Sequence, residues 1–120
     1  MKVQNMLSSN GNKVANQFII TENFEVKGRV PFRITRLGTI IADKNIFSIE
    51  VFQSYDSTIV KIDHYNSGAR QVTLDRNFWD YSATTGKYRN KFLCETKKET
   101  QAKIDSGEYI LADLNPLSLL

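Results

Sequence analysis

The stretch "IFSIEVFQSY" (residues 46–55) shows the clearest alternation of side-chain character in the chain. Alternation with a period of two is typical of a β-strand, because successive side chains point to opposite faces of a sheet. We therefore predict a strand over residues 46–53. One face is expected to carry Phe47, Ile49, Val51 and Gln53, and the other Ser48, Glu50 and Phe52.

The residues around this strand favour more strands. From Val14 to Asp75, β-branched and aromatic residues are interrupted by turn formers, a pattern that indicates short strands in an antiparallel sheet. Asn66-Ser67-Gly68 predicts a hairpin turn. Residues 1–13 lack apolar periodicity and are predicted to be a loose lead-in to one domain over residues 14–120. The strands are expected near residues 15–21, 24–27, 31–36, 39–42, 46–53, 58–63 and 70–74.

After Asp75 the pattern becomes helical. An aromatic stripe spaced by four, three and four residues predicts a helix over residues 82–93, with Asp80 or Ser82 as its N-cap. Thr96 and Glu99 form a capping-box sequence, which predicts a second helix over residues 97–105. A last strand is expected over residues 108–114, so the fold class is α+β. The stripe consists of Tyr81, Thr85, Tyr88 and Phe92, with Leu93 alongside.

Composition limits the classes of protein. A chain of 120 residues with 41% hydrophobic content fits one globular domain. Its apolar runs are far shorter than the roughly 18 residues of a membrane span, so we expect a protein of the cytoplasm. Cys94 is the one cysteine, which excludes an intramolecular disulfide, and we expect it to be buried.

The net charge of +3 is unevenly distributed. Residues 1–36 carry six Lys/Arg and two Glu (+4), and residues 76–103 carry seven Lys/Arg and three acids (+4). Residues 37–75 carry three against five (−2), and the tail from Ile104 carries three acids (−3). If the two basic segments adjoin, they form a patch that attracts nucleic acid or an acidic protein; otherwise they are ordinary solvated faces.

The sequence contains no recognisable catalytic or metal-binding pattern. His64 is the only histidine and stands at a predicted strand end, where a surface role is expected. One histidine and one cysteine do not supply the spaced ligands of a transition-metal site. "TTGKY" lacks the upstream glycine of a phosphate-binding loop. We therefore expect a protein that is not an enzyme and uses no cofactor.

The stretch "YSATTGKYRNKFL" (residues 81–93) has two interpretations. Its aromatic side is either buried against the sheet or part of a surface that grips phosphates, and burial is the favoured interpretation. Burial would leave Thr84, Lys87, Asn90 and Lys91 exposed. The cations Lys87, Arg89 and Lys91 fall away from the stripe and are the candidate contacts for a partner. Trp79 is interpreted either as a plug at the corner between sheet and helix or as a partly exposed binding anchor.

Several blocks resemble a family of small uncharacterised proteins encoded by bacteriophages and other mobile elements. The most specific block is "WDYS-x-TTGKYRN-x-FL", and others are "VANQFII", "FQSYDSTIVKID" and "KKETQAKIDSGEYILADLN". The sequence departs from the family pattern at about residues 24–51, where a shorter link is expected. The resemblance implies a genomic setting and no specific activity.

Two hypotheses follow for the function. The first is a non-enzymatic accessory protein that binds a host protein or ribonucleoprotein effector, such as an anti-CRISPR or other anti-defence inhibitor acting by occlusion. The second is direct binding of nucleic acid through the basic segments. A homodimer is a further expectation, through an edge formed by "EYILADL" or through a hairpin in the departing region of about residues 24–51. The candidate contacts are Lys87, Arg89, Lys91 and Trp79, together with Arg29, Arg33 and Arg36 of "VKGRVPFRITR".

Overall fold

Strands and two helices make up the computed structural model, which describes residues 1–24, 33–34, 40–41 and 46–116. The strands are β1 (Lys2–Leu7), β2 (Lys13–Asn23), β3 (Arg33–Ile34), β4 (Ile40–Ile41), β5 (Ile46–Ser54), β6 (Ser57–Tyr65), β7 (Arg70–Asp75) and β8 (Ile110–Ala112). Six of them form one open sheet in the order β1-β2-β5-β6-β7-β8, and β3 pairs with β4 separately. Helices α1 (Ala83–Leu93) and α2 (Lys97–Asp105) lie between β7 and β8 in sequence.

The direction of β8 explains the position of the helices in the chain. β8 is parallel to β7, whereas the other strand pairs are antiparallel. Parallel neighbours need a crossover connection, and α1 and α2 supply it. The predicted α+β class and the antiparallel sheet are confirmed. β8 is an edge strand, and a dimer formed through it stays a prediction.

β5 has apolar residues on both faces. Val51 and Phe52 are consecutive and buried, so they point to opposite sides of the sheet. Phe52 belongs to the main apolar cluster, and Val51 belongs to a second cluster with Ile20, Ile46 and Ile49. The buried members of the main cluster are Met6, Phe52, Ile59, Val60, Ile62, Val72, Leu74, Tyr88, Leu93 and Tyr109.

One position of β5 departs from the expected alternation. Phe47 was expected on the face of Ile49 and Val51, but its side chain is 42% exposed. Ile46 pairs with Tyr65 and Ser48 pairs with His64, so Phe47 is an extra residue in the ladder. Such a bulge reverses the parity of the strand, which places Ile46 in the second cluster and turns Phe47 outward.

The helix ends follow their local sequence signals. The Ser82 hydroxyl caps α1 by accepting the Thr85 N–H, and Thr96 with Glu99 forms the predicted capping box of α2. Gly107, at φ 83°, follows the C-cap Ser106. Gly68, at φ 90°, allows the predicted hairpin between β6 and β7.

Most of the aromatic stripe of α1 is buried. Thr85, Tyr88 and Leu93 are buried, and the half-buried Phe92 ring stacks on Phe52 with 5.9 Å between ring centroids. The prediction is wrong for Tyr81, which precedes the N-cap and is 48% exposed.

Two further expectations differ from the structure. Residues 2–7, expected within a loose lead-in, form β1, because they pair along β2 and bury Met6 in the main cluster. Cys94 is exposed, because it ends α1 in the left-handed conformation (φ 56°) and points away from the packed face. The Cys94 N–H still bonds to the carbonyl oxygens of Asn90 and Lys91.

Asp75 joins the sheet to both neighbouring connections. Its carboxylate is fully buried at the end of β7. One oxygen accepts the N–H groups of Asn77 (3.0 Å) and Phe78 (2.9 Å), and the other accepts the N–H of Leu114 (2.8 Å). This side chain therefore holds the turn before α1 and the segment after β8 to one point of the sheet.

We predict that Asp75→Asn lowers the free energy of unfolding by about 1–3 kcal/mol, because an amide group then faces backbone N–H donors that need an acceptor. Urea unfolding followed by circular dichroism measures the change. Asp113→Asn is the matched control, since Asp113 is exposed and accepts one N–H, and its effect should stay within about 0.5 kcal/mol. Equal losses in the two variants would contradict the anchoring role.

Candidate functional site

Helix α1 does not present all of its cationic residues to solvent. Lys87 and Lys91 are exposed, as predicted, but Arg89 is only 1% exposed. Arg89 follows the buried Thr85 by four residues, so it lies on the same inward side of the helix. The prediction of Arg89 as an exposed contact is wrong.

Arg89 connects α1 to the turn that precedes it. Its Nη1 donates to the Trp79 carbonyl oxygen (2.6 Å) and reaches Asp80 Oδ1 at 3.3 Å, while Nη2 donates to Asn90 Oδ1 (3.0 Å). The guanidinium carbon lies 5.1 Å from the centroid of the Trp79 ring. Within residues 1–24 and 46–116, the buried Nε has no hydrogen-bond partner. The contacts make Arg89 a structural link whose Nε is left without an acceptor in this part of the chain.

Trp79 occupies the corner between β7 and α1. It is half-buried and packs against the main cluster, under the guanidinium of Arg89. This arrangement corresponds to the plug interpretation. The neighbouring Phe78 ring meets the Tyr81 ring edge-on, with 5.4 Å between centroids.

Asp80 bridges the starts of both helices. Its Oδ2 lies 2.7 Å from Lys97 Nζ at the start of α2, and its Oδ1 faces Arg89. Burial by itself raises the pKa of the Asp80 carboxyl, but hydrogen bonds and charge from Lys97 and Arg89 outweigh burial, so the pKa lies below its ordinary value. Asp80 is therefore a carboxylate shared between two cations.

A surface cleft of about 630 Å³ opens beside this bridge. Gly86, in the interior of α1, contributes to its wall, and a Cβ built there would lie 3.7 Å from Arg89 Nη2. The charged side chains of the lining are three cations and one anion. The lining residues are Asp80, Tyr81, Ser82, Ala83, Gly86, Lys87, Arg89, Asn90 and Lys97.

A second feature of α1 is a group of exposed lysines, Lys13, Lys87 and Lys91, which we call the lysine patch. Lys87 Nζ and Lys91 Nζ lie 5.5 and 5.3 Å from the centroid of the Tyr88 ring. Lys91 Nζ also approaches the carbonyl oxygen of Leu7 (3.3 Å), and Leu7 pairs with Lys13. None of the three lysines has an ion-pair partner in the described part of the chain.

The remaining candidate residues contribute little to these features. Arg29 and Arg36 lie outside the described residues, and for Arg33 only its place in β3 is described. His64 lies within β6, half-buried, with Nε2 2.6 Å from Glu50 Oε1. Across the described residues, no helix is long and apolar enough to cross a membrane, and no group of three or more His, Cys, Asp or Glu could hold a metal ion.

A polar network links the residue Glu95, which precedes α2, to the last turn of that helix. The Glu95 carboxylate accepts from Lys103 Nζ (2.7 Å) and Thr100 Oγ1 (2.8 Å), and its side chain is 3% exposed. Burial raises the pKa of Glu95, but Lys103, Thr100 and Tyr109 outweigh it, so the pKa lies below its ordinary value. The hydrogen bond to Glu95 is the main cause that raises the pKa of Lys103.

Sequence reasoning missed two buried polar residues of the sheet, Ser54 and Gln17. Thr85 Oγ1 lies 2.9 Å from Ser54 Oγ, and the side chain of Gln17, which pairs with Ser54 across the sheet, is buried as well. The one local signal near them was Gly86, because a glycine inside a helix costs about 1 kcal/mol relative to alanine and indicates a reason beyond helix formation.

A family model described as a family of unknown function (DUF8033) matches residues 1–108. The chain belongs to this family. The DUF8033 match covers the whole cleft and the lysine patch. No curated protein and no solved structure matches the chain. The function of this DUF8033 chain is therefore argued from the geometry of its surface.

We predict that Arg89→Met lowers the free energy of unfolding by about 1–3 kcal/mol, because the buried Trp79 carbonyl and the Asn90 side chain lose their donor. Lys87→Met is the matched control from the exposed side of the same helix, and its effect should stay within about 0.5 kcal/mol. Chemical denaturation of both variants measures the difference. A larger loss for Lys87→Met would contradict the structural role of Arg89.

We predict that Glu95→Gln destabilises the protein most at neutral pH. The folded pKa of Glu95 lies below its ordinary value, so its carboxylate stabilises the fold above that value, 4.5. The stabilisation is lost as the pH falls through the folded pKa. Urea unfolding at about pH 7 and about pH 3 should therefore show a smaller difference between wild type and variant in acid. Glu99→Gln, in the exposed capping box, is the control.

Proposed function

We propose that the chain is a non-enzymatic accessory protein that binds a macromolecular partner through the lysine patch, Lys13, Lys87 and Lys91. The observation that carries the proposal is that three exposed lysines occupy connected positions of the fold. Lys87 and Lys91 both lie beside the Tyr88 ring, and Lys91 also contacts the carbonyl oxygen of Leu7, which pairs with Lys13. None of the three has an ion-pair partner in the described residues. Like charges held close together repel each other, and an acidic partner relieves that repulsion.

The patch rests on rigid elements, which supports a docking role. Lys87 and Lys91 flank Tyr88, whose ring is buried in the main cluster. Lys13 begins β2, which pairs with β5 in the centre of the sheet. A surface held in one shape loses little conformational entropy on binding, so its charges add more to affinity.

The chemistry of the patch favours a partner that presents negative charge. Burial of Arg89 removes the planar fork that anchors many interfaces and reads bases, and leaves lysines as point charges. We propose that the partner is a host protein or ribonucleoprotein effector in the bacterial cytoplasm, and that binding occludes it or holds it inactive. The phage setting and the anti-CRISPR-like role are supported by the sequence resemblance alone.

Direct binding of nucleic acid is the second candidate. Lysines without a neighbouring arginine suit phosphate groups, which need charge and not a fixed hydrogen-bond geometry. The two candidates differ in their salt dependence. Affinity for random DNA or RNA that rests on phosphate contacts falls steeply with salt, because bound counterions are released.

We predict that the triple variant Lys13→Glu, Lys87→Glu, Lys91→Glu stays folded and loses its partner. Affinity capture from a lysate of the bacterium that carries the gene, quantified by mass spectrometry, compares it with wild type, and we expect at least about a tenfold loss of the captured protein. The change removes three exposed cations and takes the net charge from +3 to −3.

The matched control carries Arg70→Glu, Arg76→Glu and Lys98→Glu, which are exposed and give the same change of net charge. The control should retain the partner. Equal loss in both triple variants would show a general charge effect and contradict the patch. If the wild-type chain binds random oligonucleotides in a salt-sensitive way and only the patch variant loses this binding, the partner is nucleic acid and not a protein.

A further inference from the structure

We infer that the cleft beside α1 binds a nucleoside 5′-phosphate. The inference goes beyond the proposed function: apart from Lys87, its residues lie outside the lysine patch. The cleft combines an excess of positive charge around a buried guanidinium, the amino end of a helix, an opening at Gly86 and an exposed aromatic ring.

The lining of the cleft carries three cations and one anion, so positive charge is in excess. Arg89 is almost fully buried, and a buried charge is normally matched by a partner of opposite sign. The carboxylate that faces it, Asp80, lies 2.7 Å from Lys97 but 3.3 Å from Arg89 Nη1. Arg89 Nε, also buried, has no hydrogen-bond partner among the described residues. A phosphate group would supply the missing negative charge.

The amino end of α1 borders the cleft, because Ser82 and Ala83 belong to its lining. Ser82 caps the Thr85 N–H, but the first backbone N–H groups of a helix, here those of Ala83 and Thr84, have no acceptor within the helix. The first turn of α1 contains no acidic residue. Free N–H groups and the positive end of the helix dipole favour a phosphate.

Gly86 keeps the wall of the cleft open. Its backbone is helical, so no special conformation requires glycine there. A Cβ at this position would make an ordinary contact with the Arg89 guanidinium, at 3.7–3.9 Å, and a longer side chain would occupy the cleft. Glycine at this position therefore costs about 1 kcal/mol of helix stability relative to alanine and leaves space beside the Arg89 guanidinium.

Tyr81 suits the planar part of such a ligand. Its ring is 48% exposed, lines the cleft and is held by the edge-on contact with Phe78. Bases stack on rings of this kind, with little preference for sequence. The cleft is open to solvent, and its volume of about 630 Å³ exceeds the needs of an inorganic phosphate.

The test is a titration of the ¹⁵N-labelled full chain with nucleoside monophosphates, followed by NMR. Shifts are expected at residues 80–90 and at Lys97, with affinity about tenfold above that of the same nucleosides without phosphate and of inorganic phosphate. Oligonucleotides with and without a 5′-phosphate form a second arm. A free nucleotide is the source if only monophosphates bind, and a strand end is the source if the 5′-phosphorylated oligonucleotide binds more tightly.

Paired variants separate binding from folding. Lys97→Met should weaken binding about tenfold, whereas Lys98→Met, its exposed neighbour outside the cleft, should not. Gly86→Leu should abolish binding, whereas Gly86→Ala should retain it and raise the melting temperature. If Gly86→Leu does not fold, the comparison of Lys97→Met with Lys98→Met tests the site.

In Asp80→Asn, a purely structural role of Asp80 predicts a loss of stability and no gain in affinity for the monophosphate. The substitution removes an anion that competes with phosphate, so affinity for the monophosphate should rise while stability falls, because Arg89 loses its carboxylate. The inference is overturned if neither arm of the titration shows binding, if shifts map away from residues 80–90, or if Lys97→Met and Lys98→Met bind equally well.

Discussion

The buried carboxylate of Asp75 is the interaction on which the arrangement of sheet and helices depends. β8 is only three residues long and parallel to β7. The backbone hydrogen bonds between these two strands therefore hold the returning chain only weakly. Asp75 accepts N–H groups from the turn at Asn77 and Phe78 and from Leu114. One side chain thereby sets where the chain leaves the sheet and where it returns. The position of Trp79, and with it the acceptor of Arg89, follows from that turn.

Arg89 connects the turn after β7 to α1. Its bond to the Trp79 carbonyl, and the ring beneath the guanidinium, fix the rotation of the helix about its axis. With Arg89 inside, Lys87 and Lys91 are left on the outer surface and Gly86 on the wall of the cleft. The surfaces proposed for partner and ligand are both consequences of one buried cation. A helix rotated to expose Arg89 would have neither.

Elements with a complete local signal were predictable from the sequence, and those that depend on a distant partner were not. The capping box at Thr96 and the hairpin turn ending at Gly68 are contained in a few consecutive residues. β1 exists because β2 offers an edge, which no pattern within residues 1–13 reveals. Likewise, the bulge at Phe47 depends on the pairing of β5 with β6, and the burial of Arg89 depends on Trp79. The cleft was out of reach for the same reason, since Tyr81, Gly86 and Lys97 converge only after α1 and α2 are packed.

The positive charge of residues 76–103 becomes more informative once its pairs are known. The segment has seven cations and three acids, and each acid is engaged: Asp80 with Arg89 and Lys97, Glu95 with Lys103, and Glu99 in the capping box. Three cations are therefore paired, and four remain on the surface: Arg76, Lys87, Lys91 and Lys98. Because Asp80 and Glu95 are paired with cations within the fold, the four unpaired cations face one exposed acid, Glu99, in this segment. A small net charge on the whole chain thus coexists with a cationic α1, since the acids of the tail lie at the end of α2 or after it and α1 itself contains no acid.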